Sequence, residues 1–135
     1  MQRIVYISTA RQMLANRDLV DILATSRRNN RAAGVTGLLI TGGRHFLQTL
    51  EGPDQAVHTV FRRIEQDPRH FAIVTLSRTA IERRTFGDWD MGHCDGGATG
   101  SADNTAQTIA RLLAPIEDRT MRAYFEGFTQ MHVTA

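Results

Sequence analysis

The chain has 135 residues, 41% of them hydrophobic and 22% charged, which suits one ordinary globular core and is too little for a two-domain enzyme. All 16 cationic side chains are arginine, so a Walker A loop, a Schiff-base lysine and a lysine general base are excluded. The net charge of +2 is too small to imply nucleic acid by charge alone, and a lone cysteine, Cys94, closes no internal disulfide.

These features point to a reducing cytoplasmic location. No apolar run approaches the roughly 18 residues of a membrane span, and Met1-Gln2-Arg3-Ile4 leads into a strand pattern rather than a signal region. No membrane partner and no directly bound nucleic acid are expected.

Arg3–Ser8 is β-branched and aromatic and reads as a strand covered on both faces, with Tyr6 on the face of Ile4 and Ser8. Asn16 then caps a helix whose stripe of Leu19, Ile22, Leu23 and Ser26 runs to about Asn30. Residues 35–41 and 45–51 form a hairpin about Gly42-Gly43, with Phe46, Gln48 and Leu50 on one face of its second strand. Pro53-Asp54 opens a second helix with Asp54 as cap and Val57, Val60, Phe61 and Ile64 facing inward.

Residues 71–81 read as a fourth strand and Trp89–His93 as a short fifth, with Trp89, Met91 and His93 sharing a face. The order β-α-β-β-α-β plus one strand predicts an α+β, ferredoxin-like sheet with the first and third strands adjacent at its centre. Residues 96–103 form a small-residue linker after a first unit of residues 1–95. Residues 104–113 and 116–128 then make two amphipathic segments around Pro115, expected to pack on the sheet face that carries Val5 and Ile7, or on a second copy of the chain.

Three polar side chains fall where a core should be. Asn30 lies eleven residues after Leu19, which returns it to the buried stripe, although an Asn at a helix end also suits a left-handed cap. Asn29 fits the same bland account. Gln48 shares a face with Phe46 and Leu50, and a buried amide without partners costs about 1–3 kcal/mol, so the phenol of Tyr6 on the neighbouring strand is its natural partner. Tyr6, Gln48 and Asn30 converging on one layer describe a site for a flat ligand with donors and acceptors on its rim. Trp89 and Met91, taken alone, read as core filling, and the arginines beside Asn30 and at Arg69 read as solvated.

Arg-Ile-Val-Tyr6-Ile-Ser, Ser26-Arg-Arg-Asn29-Asn30, Gly34-Val-Thr-Gly37, Phe46-Leu-Gln48-Thr-Leu-Glu-Gly52, Asp67-Pro-Arg69-His70 and Phe86-Gly-Asp-Trp89-Asp-Met91 follow one another at natural spacings. Together they resemble a BLUF domain of the short single-domain type, the blue-light sensor that uses FAD. The resemblance implies FAD between the two helices, with Tyr6 as electron and proton donor and Gln48 bridging phenol and ring.

Asn30, Asn29, Ser26, Ile22 and Met91 would line the ring, Arg69 and His70 would touch the cofactor further along, and Trp89 and Met91 would relay the change into the fifth strand. It also implies a sensor without turnover chemistry, signalling to a separate protein or through a homo-oligomer. The alternative is a ferredoxin-like interaction module without chromophore, in which the same polar residues merely satisfy one another.

Overall fold

The computed structural model describes residues 1–11, 16–42, 44–87, 92–95, 111 and 113–132. Its sheet is built from β1 (Gln2–Ala10), β2 (Thr36–Gly42), β3 (His45–Gly52), β4 (His70–Ala80) and β5 (Gly92–Asp95), in the order β4-β1-β3-β2-β5. The first four strands pair antiparallel in the ferredoxin-like order, with β1 and β3 side by side, and β5 adds in parallel to β2. Helices α1 (Asn16–Ala33) and α2 (Asp54–Glu65) cross one face, and α3 (Arg119–His132) follows β5.

Strand alternation divides the core in two. Ile4, Tyr6, Leu39, Phe46 and Leu50 point towards α1 and α2, where they meet Leu23, Val57, Val60 and Phe61. Their neighbours Val5, Leu38, Ile40 and Leu47 point the other way, against Leu113, Ile116, Met121, Phe125 and Phe128. Burying each of these large apolar side chains is worth about 1.5–3 kcal/mol, and this holds the C-terminal segment on the sheet as its amphipathic pattern predicts.

Helix α1 runs past Asn30 to Ala33. Gly34, at φ 71°, takes the left-handed position instead, with Val35 N donating to Asn30 O at 2.8 Å and Gly34 N to Arg31 O at 3.3 Å. Asn30 is therefore a helical residue whose side chain is buried, and the cap alternative falls.

Other boundaries also move. Gly42 pairs with His45, so it belongs to β2 rather than to the turn. The residue that caps α2 is Pro53, without a side-chain hydrogen bond, while Asp54 sits in the first turn beside the Met1 ammonium at 3.6 Å. The last helix starts at Arg119 rather than Ile116, because Asp118 caps it, its Oδ1 accepting from Met121 N at 3.0 Å. Ile116 is left as a buried plug ahead of the helix.

The fifth strand is described only from Gly92. Trp89, Met91, the 96–103 linker and residues 104–110 lie outside the described residues.

Candidate functional site

The antiparallel register sets Tyr6 opposite Gln48, with Thr75 of β4 on the other side of Tyr6 and Leu39 of β2 on the other side of Gln48. Both side chains are buried, Tyr6 to 1% exposure and Gln48 to 6%. The phenol donates a hydrogen bond to Gln48 Oε1, and its ring leans on Phe61 of α2 with centroids 5.2 Å apart. Burial pushes the phenol pKa well above its ordinary value, and the negative charge of Asp67 pushes it the same way. Tyr6 is thus a neutral, desolvated phenol with a fixed acceptor.

Above this pair a narrow cleft opens between the sheet and the helices. Ile22, Leu39, Phe46 and Ile64 give it apolar walls, and Ser8, Ser26, Asp67, Arg69 and His70 give it polar edges. A second cleft continues from it between α1 and α2, sharing Ser26, Ile64, Asp67 and Arg69 and adding Asn29, Asn30 and Arg63.

The turn from α2 into β4 supplies the polar mouth. Asp67 Oδ1 accepts from the backbone N and the Nε of Arg69, both at 2.9 Å. Those hydrogen bonds hold the Asp67 carboxyl below the usual carboxylate range and raise the Arg69 guanidinium. His70 is braced between two elements, with Nε2 2.7 Å from Ile64 O and Nδ1 3.0 Å from Ser8 Oγ. A carbonyl only accepts, so Nε2 donates to Ile64 O, while the Ser8 hydroxyl can serve Nδ1 as donor or acceptor.

Of the residues singled out in the sequence, Tyr6, Ile22, Ser26, Gln48, Arg69 and His70 line the first cleft and Asn29 and Asn30 the second. Trp89 and Met91 lie outside the described residues. Sequence reasoning left Leu39, Phe46 and Ile64 as ordinary core positions and gave Asp67 no role at the site. Nothing in periodicity separates a core leucine from one that walls a cleft, although the carboxylate in Asp67-Pro-Arg69 was a visible partner for the arginine.

The residue types suit a flavin. Its ring system is flat and apolar across its faces, as the aliphatic and aromatic walls require, and its edge alternates donors and acceptors, as carboxamides, hydroxyls and the phenol require. The arginine-lined extension offers cationic donors where a phosphate-bearing tail would leave the ring. Among the described residues no group of His, Cys, Asp or Glu is arranged to hold a metal, and no helix is long and apolar enough to cross a membrane.

A flavin-type cleft above a phenol–carboxamide pair on a ferredoxin-like sheet defines a light-sensing flavoprotein class. The family model for sensors of blue-light using FAD matches residues 1–92, and the chain belongs to this BLUF family. It is 37% identical over 88 residues, 65% of its length, to the blue light- and temperature-regulated antirepressor BluF of Escherichia coli strain K12.

The chain spans 22% of that relative and 10% of the photoactivated adenylate cyclase subunit beta of Euglena gracilis. Among solved structures, BlrB, a BLUF protein in its dark state, superposes with a TM-score of 0.71 at 31% identity, over 91% of this chain and 96% of the other. Klebsiella pneumoniae BlrP1, with FMN and cyclic diGMP, gives 0.80 at 29% identity, over 96% of this chain and 34% of the other.

Proposed function

We propose that this chain is a blue-light photoreceptor that binds FAD between α1 and α2, with the ring over Tyr6 and Gln48. The observation that carries this reading is the buried phenol donating to a carboxamide at the floor of the cleft. A bound flavin supplies a strong oxidant on absorbing blue light. Tyr6 is the oxidisable side chain beneath it, able to give up an electron with its phenolic proton and to take both back in the dark.

Gln48 is the group that can change its pattern. A carboxamide carries an acceptor and a donor end, and rotating or tautomerising exchanges what it presents to the phenol and to the ring edge. A hydrogen bond gained by the ring carbonyl accounts for a modest red shift that reverts thermally. Asn30, Asn29, Ser26 and Ile22 hold the ring, while Arg69 and His70 serve the cofactor further along.

FAD rather than FMN is supported by the second cleft, where Arg63 extends the site beyond the ring. Residues 1–95 act as the sensor. The signal leaves through β5, into which Trp89 and Met91 would carry the change, and through the C-terminal helices to a partner protein or a second copy, without turnover chemistry. An absorption spectrum recorded in darkness and after blue illumination tests the proposal. A flavin spectrum that shifts reversibly to the red, and ceases to do so in Gln48→Leu, is the expected result; a colourless protein that takes up no added flavin overturns it.

A further inference from the structure

The cleft does not use the most completely buried charge among the described residues. Glu51 lies on β3 three residues after Gln48, on the opposite face of the sheet, and its side chain is fully buried. Its Oε2 accepts from Arg3 Nε at 2.8 Å and from Thr85 N at 3.0 Å, and its Oε1 from Phe86 N at 2.8 Å. Arg3 in turn donates to Thr85 Oγ1 at 2.6 Å. A buried ion pair is a weak source of stability because desolvation offsets its attraction, yet removing one partner strands the other. Here its ties outside the sheet go to one short segment, the loop between β4 and β5.

That loop is fastened at two further points. Arg84 donates to Gly34 O at 2.7 Å, at the end of α1, and to Thr36 Oγ1 at 3.1 Å, at the start of β2. Phe86 is buried in the core formed with Ile116 and Phe125 beneath α3. On the solvent side, Glu82 and Arg83 of the loop line a polar groove together with Glu117 and Asp118. A displacement of β3 at Gln48 therefore reaches the seat of α3, and one wall of that groove, through the Glu51 carboxylate.

We propose that the Arg3–Glu51 pair is a latch that fixes the 84–86 loop to β3, and that Glu51 is a positioning residue which passes a rearrangement at Gln48 to the C-terminal helix. The proposal rests on the photoreceptor reading above. Directional hydrogen bonds held in a dry site have discrete arrangements rather than a continuum, which suits an element with two states. Both oxygens of the carboxylate are acceptors here. Glutamine keeps one acceptor and turns an N–H towards donors, so Glu51→Gln opens the latch without touching the cleft.

The Thr85 and Phe86 amides report the latch directly, since both donate to Glu51. Amide hydrogen exchange is followed on the flavin-loaded full chain in darkness and under blue light, with absorption recorded in parallel. Light is expected to speed exchange at both amides by about fivefold or more, the lower end of typical coupling between linked sites. Glu51→Gln should keep the red shift, exchange fast at Thr85 and Phe86 already in the dark, and lose the light response of α3 amides.

Thr85→Val removes only the bond from Arg3 and should show a smaller effect of the same sign, which serves if the Gln variant does not fold. A normal red shift with unchanged Thr85 and Phe86 exchange overturns the latch alone, as does a variant with an open loop whose α3 still responds to light. Absence of any red shift in the unmodified chain overturns the photoreceptor reading and the latch with it.

Discussion

Tyr6 and Gln48 stand directly opposite one another across the β1–β3 ladder, and the phenol donates to the amide oxygen. The register of two central strands thus builds the pair before any ligand arrives. Tyr6→Phe keeps the ring that packs on Phe61 but leaves a buried acceptor without its donor. We expect flavin uptake to survive, the red shift to vanish, and stability to fall by about 1–3 kcal/mol in denaturant unfolding. Persistence of the shift in this variant would remove the phenol from the photochemistry.

Alkaline titration separates the tyrosines. The Tyr6 phenol has a raised pKa in the folded protein, so its contribution to stability is complete below the ordinary tyrosine value of about 10 and is lost as pH rises above it. In Tyr124→Phe, tyrosinate absorption should appear only together with loss of the far-UV circular dichroism of the fold. Ionisation of Tyr6 in a protein that stays folded would contradict its desolvation.

Acid acts through Asp67. Its carboxyl is held low by hydrogen bonds from Arg69, so the stability it contributes is present above the ordinary carboxylate pKa and disappears as pH falls through the lowered value. The difference in urea midpoint between the unmodified chain and Asp67→Asn should be flat above about pH 4 and shrink below it. A difference that grows on acidification would reverse the sign.

The two glycines flanking the start of β2 should behave differently. Gly34→Ala places a side chain at φ 71° with open space around it, costing about 1–2 kcal/mol from the backbone alone. At Gly37 an added Cβ would stand 2.0 Å from the Thr49 carbonyl oxygen, so β2 must part from β3. Gly37→Ala is expected to be the more destabilising in thermal unfolding and to disturb the flavin spectrum, since β3 carries Gln48.

Thr49 is fully buried, and its hydroxyl has no hydrogen-bond partner among the described residues. Thr49→Val is close in shape and removes the unsatisfied group, so stability should hold or rise by about 1 kcal/mol, read as a shift in the denaturant midpoint. A clear loss would mean that the hydroxyl is satisfied in solution.

What could be read in the residues follows from periodicity. A strict two-residue alternation put Tyr6, Gln48 and Phe46 on one layer, and eleven helical steps from Leu19 brought Asn30 to the same side. Glu51 was not legible as a tie, because its acceptors meet amides 34 and 35 residues further along, at Thr85 and Phe86. The starts of α2 and α3 were misplaced for a related reason: Asp54 and Asp118 are both good caps, and only the chain path shows that the first lies inside its helix and the second outside. The apolar walls Leu39 and Ile64 look like any core residue until the space beside them is visible.

Because the sheet is a single layer of strands, the cleft and the seat of the C-terminal helix lie in two compartments that share backbone but almost no side chains. The surface that receives α3 is a socket of aliphatic residues into which a helix with Met121, Phe125 and Phe128 plugs. A foreign helix with the same knob spacing should be graftable there, turning the chromophore compartment into an interchangeable part for engineered light-driven effectors.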